Sequence, residues 1–105
     1  MSEEIGAHLL RDGDRFDGIA AASDVIAMQA VRVLVDRGVR VPEDLPVTGF
    51  DDLPLATQTV PRLTTVRQDL VAGARAMVDA LFARLAGEDC PSVEMPAELI
   101  ERDTA

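Results

Sequence analysis

The sequence predicts an α/β fold built on parallel strands, and three observations carry that prediction. Two short, uniformly apolar runs, Ile19-Ala20-Ala21-Ala22 and the stretch around Val47, have the character of strands covered on both faces. Between them lies a segment of helical period, opened by Ser23-Asp24 and closed by Gly38. A strand, a helix and a second strand in that order form a βαβ unit, and such crossovers are right-handed and give parallel pairing. With 105 residues the chain has room for one domain with a modest core. That core is built mainly from Val, Leu, Ile and Ala, because there are three Phe and no Trp or Tyr.

The N-terminal residues Ser2 to Asp12 read as a short helix. Glu3 and Glu4 suit its first turn, Ile5 and Leu9 share a face, and Gly13 ends it. The aspartates of Arg11 to Gly18 superficially resemble a calcium loop. The spacing fails: Phe16 stands where a ligand is required and Asp17 where the turn needs glycine. A loop is the reading there.

After the strand at Ile19, either Ser23 or Asp24 caps a helix running to about Arg37, whose charge complements the negative helix end. On this helix Gln29, Arg32 and Asp36 make one narrow polar stripe, while Val25, Ile26, Met28, Val31, Val33, Leu34 and Val35 occupy most of the remainder. One sheet face cannot cover so wide an apolar arc. A second element of the chain or another subunit must do so, and Met28 is the natural probe.

Val41-Pro42-Glu43-Asp44 is a turn leading into Leu45-Pro46-Val47-Thr48-Gly49-Phe50-Asp51-Asp52. In an open α/β sheet, ligands bind beyond the carboxyl ends of the strands, which is where Asp51 falls. Asp is also common in turns. The βαβ order decides between the two readings, because it places Ser23 and Asp51 at the ends of neighbouring strands, facing one crevice.

The segment from Leu53 to Arg62, with Pro54 and Pro61, is irregular with room for one helical turn and leaves Leu55 and Val60 exposed. Leu63-Thr64-Thr65-Val66-Arg67 is extended and Asp69 caps the next helix. On that helix Leu70, Val71, Ala74, Met77, Val78, Leu81, Phe82 and Leu85 recur at helical spacing, up to a stop at Gly87. Val93, Met95, Ala97 and Leu99 alternate with polar residues and predict a half-buried strand, with Pro96 marking an edge or bulge.

Composition removes several function classes. The net charge is −9, with nineteen acidic residues against ten arginines and no lysine. A chain so acidic repels a phosphate backbone, so no direct nucleic-acid contact and no membrane contact are expected of it. Without lysine there is no Schiff base and no phosphate-loop lysine, and a receiver-like phosphoacceptor role for Asp51-Asp52 loses its basic partner. His8 and Cys90 are the sole histidine and cysteine and fall in different elements. No metal site, no catalytic triad and no cofactor follow from such a set, and an enzyme is not expected. A single cysteine fits a reducing compartment, and neither a leader nor an apolar run near the roughly twenty residues of a membrane span is evident. A cytoplasmic location is expected.

Five motifs in register then resemble a known family. Ala21-Ala22-Ser23-Asp24, Ala27-Met28-Gln29-Ala30, Gly38-Val39-Arg40-Val41-Pro42-Glu43-Asp44, Val47-Thr48-Gly49-Phe50-Asp51-Asp52 and Leu63-Thr64-Thr65-Val66-Arg67-Gln68-Asp69 resemble the LacI/GalR (lactose-repressor-like) family of bacterial transcriptional regulators. The match extends over essentially the whole chain. It implies the C-terminal part of an effector-binding domain with the periplasmic-binding-protein-like type I fold, incomplete because the N-terminal part is missing. Residues 1–62 would be a βαβ segment of the C-terminal lobe, 63–68 a crossover, 69–88 a helix of the N-terminal lobe and 89–105 a return strand to the C-terminal lobe.

By the same resemblance, Asp51 and Ser23 are effector-binding positions for a sugar or nucleoside-like molecule. Met28, Leu55 and Val60 lie where the family dimerises, which gives the wide apolar arc a partner. The helix-turn-helix is absent, so operator DNA would be met only through a longer parent. The helix from Leu70 to Leu85 would lack the sheet it covers, and self-association through it is expected. A fragment of a periplasmic sugar-binding protein and a standalone oligomerisation module are the alternative readings.

Overall fold

The computed structural model describes Glu4, Ala7, His8, Arg11 and residues 16–105. Those first four residues are helical. The rest of the helix expected over Ser2 to Asp12, and most of the aspartate-rich loop after it, lie outside the described residues. The chain divides into two compact units, one reaching to Arg67 and completed by Leu99–Ala105, the other formed by Gln68–Glu98.

The first unit holds the expected βαβ arrangement. Strand β1 (Ile19–Ala20) pairs in parallel with strand β2 (Val47–Thr48), Ile19 opposite Val47 and Ala20 opposite Thr48. The pairing continues past the strand ends, with Ile19 N–H donating to the Pro46 carbonyl at 2.9 Å and Ala21 N–H to the Thr48 carbonyl at 2.8 Å. On its other edge β2 meets two more segments. Val47 N–H donates to the Thr104 carbonyl at 2.8 Å and Gly49 N–H to the Thr64 carbonyl at 2.9 Å, Thr48 and Thr64 forming a parallel bridge. β2 is therefore central and its backbone groups are satisfied on both sides.

Helix α1 (Asp24–Asp36) connects β1 to β2. Ser23, not Asp24, is its N-cap: the hydroxyl oxygen accepts from Ile26 N–H at 3.3 Å, and Ser23 has the extended backbone a cap requires. Gly38, at φ +80°, ends the helix in a conformation that costs glycine little. Ala27, Ala30, Val31 and Leu34 pack with Val41, Leu45, Val47, Ala56 and Leu63 into one core. The two alanines let the helix lie close to the strands, and each buried Leu contributes about 1.5–3 kcal/mol. Val25 and Val35, on the flanks of the apolar arc, stay exposed.

Beyond β2 the chain makes a 3₁₀ turn (Pro54–Thr57), the single turn expected, with Ala56 buried and its carbonyl accepting from Leu63 N–H at 2.9 Å. Strand β3 (Thr65–Gln68) follows. The final residues return to the first unit: Thr104 is fully buried, its hydroxyl accepting from Thr64 N–H at 2.9 Å, and Asp103 pairs with Arg62 at 2.8 Å.

In the second unit, helix α2 (Leu70–Leu85) starts at the expected cap, Asp69, whose carboxylate accepts from Ala72 N–H at 2.9 Å. Gly87, at φ +75°, stands just past its end. No residue of α2 is buried, and Leu70, Val71, Met77, Val78, Leu81, Phe82 and Leu85 are all exposed. The last strand differs from expectation. Strand β4 is Ala97–Ile100, paired with β3, and the residues from 89 to 96 form no regular structure. Pro96 has no N–H to give a ladder, so pairing begins only after it. Val93, Met95 and Leu99 are exposed, so the alternation marks no half-buried face.

Candidate functional site

The carboxyl end of β2 is a turn that violates ordinary backbone preference. Asp51 and Asp52, neither of them glycine, have φ of 113° and 55°. Asp tolerates the left-handed region better than most residues, but a position outside the favoured basins costs on the order of 1–3 kcal/mol and persists only where its surroundings enforce it. Asp51 N–H donates to the Val66 carbonyl at 2.9 Å while its side chain is exposed.

Ser23 lies at the end of the neighbouring strand. The amide of the next residue, Asp24, donates to the Phe50 carbonyl at 2.9 Å, which brings the start of α1 against the β2 turn. Capping uses the Ser23 oxygen as an acceptor and leaves its O–H free to donate. The exposed Asp51 carboxylate and the half-buried Ser23 hydroxyl are each of a chemistry suited to hydroxyl-bearing ligands.

Two residues around this turn have partners that sequence reasoning does not supply: it names Asp24 only as a possible helix cap and Asp52 only as the neighbour of Asp51. Asp24 is fully buried, one carboxylate oxygen accepting from Leu53 N–H at 2.7 Å and the other from the Thr65 hydroxyl. Asp52 turns inward, held by Arg102 at 2.6 Å and Arg67 at 2.7 Å. Burial raises the pKa of the Asp52 carboxyl, but the hydrogen bonds and charges of Arg102 and Arg67 outweigh it, so the group titrates below the ordinary aspartate value. Arg102 is fixed in turn by its second nitrogen on the Leu63 carbonyl at 2.9 Å. The adjacent aspartates thus have different roles, Asp52 in an ion-pair network and Asp51 directed to solvent.

A second feature lies on the outer side of α1. Met28, Val31, Arg32, Val35, Asp36, Thr59, Val60, Pro61 and Leu63 line a largely apolar cavity of about 420 Å³. Two of the three expected dimer positions, Met28 and Val60, meet there. Leu55 is half exposed and is not part of the lining. Val60 is 95% exposed, an unusual situation for a valine. Among the described residues, no group of His, Cys, Asp and Glu could hold a metal ion, and no helix is long and apolar enough to cross a membrane.

The model of the periplasmic binding protein-like domain family matches residues 2–105. The chain is 36% identical over 97 residues to the HTH-type transcriptional regulator AscG of Escherichia coli K12, a match covering 91% of this chain and 29% of that protein. It superposes with a TM-score of 0.78 on a LacI family regulator from Arthrobacter sp. FB24 in complex with lactose, at 33% identity, covering 98% of this chain and 39% of the other. With the lac repressor dimer bound to operator the TM-score is 0.87 at 28% identity, covering 98% and 36%. The chain therefore spans about a third of the length of these proteins, which are transcriptional regulators and not enzymes. Parallel strands, the capped crossover helix and the Gly49-Phe50-Asp51-Asp52 turn stand in that setting, and the chain belongs to the periplasmic binding protein-like domain family as part of a LacI/GalR effector-binding domain.

Proposed function

We propose that this chain forms one wall of the effector pocket, and part of the dimer contact, of a cytoplasmic LacI/GalR-type transcriptional regulator. The carrying observation is the exposed Asp51 carboxylate in the turn after a central parallel strand, a turn whose Phe50 carbonyl accepts from the amide of Asp24, the residue that follows Ser23. Both groups hydrogen-bond well to hydroxyls, which favours a sugar or nucleoside-like effector, and the lactose complex of the Arthrobacter regulator supports the sugar class. Residues 1–62 belong on this reading to the C-terminal lobe, 63–68 to a crossover, 69–88 to the N-terminal lobe and 89–105 to the return. Effector binding shifts the population between lobe arrangements, and through them between dimers that grip the operator and dimers that do not. DNA contact is left to other parts of the regulator, in keeping with a charge of −9.

The cavity holding Met28 and Val60, together with Leu55, is assigned to the homodimer contact. The exposed apolar side of α2 favours self-association of the 105-residue chain as well.

The effector assignment is tested in the complete regulator by calorimetry against lactose, other mono- and disaccharides, and nucleosides. Asp51→Asn should weaken the binding found by roughly ten- to a hundred-fold and leave dimerisation intact. Unchanged affinity removes Asp51 from the pocket. The coding sequence upstream of Met1 separates this reading from a periplasmic solute-binding protein: a helix-turn-helix supports the regulator, a signal peptide the alternative.

A further inference from the structure

We propose that Asp24 is a positioning residue for Asp51: it holds the turn from Gly49 to Leu53 in the left-handed backbone that carries the Asp51 side chain into solvent. The inference deepens the effector reading and rests on it, since positioning matters only if Asp51 meets a ligand.

Asp24 grips the turn at both ends. Its amide donates to the Phe50 carbonyl at 2.9 Å, immediately before the two strained residues, and its carboxylate accepts from Leu53 N–H at 2.7 Å, immediately after them. The middle of the turn is reached through a relay. Asp52 N–H lies 3.4 Å from the Thr65 hydroxyl oxygen, which donates its own proton to the second carboxylate oxygen of Asp24. Residues 51 and 52 are thus bracketed by one buried residue, its amide before them and its carboxylate after them, the over-determination that a left-handed pair of aspartates needs in order to persist.

Gly49 completes the device. Its φ is not positive, so backbone freedom is not what it supplies. A Cβ at this position would collide with the Asp24 carboxylate and come within 2.9 Å of Leu63. A glycine therefore ends β2 because the carboxylate must enter where a side chain would stand. Carboxylates are seldom buried completely, and Asp24 is 0% exposed with both oxygens directed at this one turn and the strand behind it. A helix cap does not explain it, because Ser23 performs that task.

The test uses the isotope-labelled 105-residue chain and NMR. In the unaltered protein Asp51 and Asp52 should show the intense intraresidue amide-to-Hα cross-peaks of a positive φ. Asp24→Asn, which offers one acceptor oxygen in place of two, should abolish them while the Ile19–Val47 and Ala20–Thr48 contacts remain. Asp51→Gly should raise the melting temperature of the parent chain by a few degrees and reduce by half or more the loss that Asp24→Asn causes. Cross-peaks that survive Asp24→Asn, or losses that simply add, overturn the proposal, because a carboxylate important only to general stability has no coupling to residue 51. Should Asp24→Asn not fold, Thr65→Val removes one partner of the same carboxylate and its coupling to Asp51→Gly decides. In the complete regulator the two ideas separate. Unchanged effector affinity in Asp51→Asn, with the NMR coupling intact, leaves a clamp that serves no ligand and ends the positioning role. Lost affinity without coupling retains Asp51 and removes Asp24.

Discussion

Asp52 and Arg102 meet at 2.6 Å with each side chain only about a tenth exposed, although fifty residues separate them in the chain. The pair joins the turn after β2 to the returning C-terminal segment, and Arg102 has already spent a second nitrogen on the Leu63 carbonyl. Asp52→Asn leaves a guanidinium facing a neutral amide, and the expected loss is about 1.5–3 kcal/mol in urea unfolding. Arg67→Ala should cost less than about 1 kcal/mol, because that side chain is half exposed. A loss in Arg67→Ala equal to that in Asp52→Asn would show that Arg67, and not Arg102, carries the pairing.

The same carboxyl gives the stability an acid limb. Its folded pKa lies below the unfolded one, because the hydrogen bonds from Arg102 and Arg67 prevail over burial. The stabilisation is complete above the unfolded value and is lost as pH falls through the folded value. Asp103, hydrogen-bonded to Arg62, is lowered in the same direction. Melting temperature should therefore fall on acidification through the carboxylate range, and Asp52→Asn should flatten that fall. An unchanged profile in the variant would place the acid sensitivity elsewhere.

Gly49→Ala inserts one methyl group where the Asp24 carboxylate and Leu63 stand. Such overpacking typically costs about 1–3 kcal/mol, and the position offers no flexible neighbour to yield, since Leu63 is 1% exposed. Thermal unfolding measures it. Full stability in the variant would mean that the carboxylate moves aside.

Much of this architecture is legible in the residues themselves. The order from Ile19 to Val47 dictates a parallel crossover, and Ser23, Gly38, Asp69 and Gly87 mark the helix ends through local chemistry alone. Asp51 draws notice because it falls just past a buried strand, where ligands bind in open α/β sheets, although aspartate is common in turns as well. What escapes is long-range side-chain pairing. Asp24 meets Thr65 and Asp52 meets Arg102, and no periodicity records a partner forty or fifty residues away. Alternation at Val93 to Leu99 misleads for the opposite reason: the pattern is present, but Pro96 prevents the backbone from pairing through it.

Two apolar surfaces make separate claims on a second copy. Val60→Asp, at a residue 95% exposed, should shift sedimentation from dimer to monomer while the monomer stays folded by circular dichroism, with Met28→Gln acting in the same direction. Phe82→Glu on α2 should instead reduce the larger species seen by light scattering in the 105-residue chain. A chain monomeric throughout the micromolar range before any substitution would refute both.

The buried Thr104 has a consequence for how the polypeptide is made. Val47 finds its hydrogen-bond acceptor on Thr104, so the middle strand lacks one partner until Thr104 has left the ribosome. At roughly 5–20 residues per second, synthesis of the intervening stretch takes several seconds. During that interval β1, α1 and β2 can collapse together, but the strand edge that awaits Thr104 is open to any other nascent chain nearby.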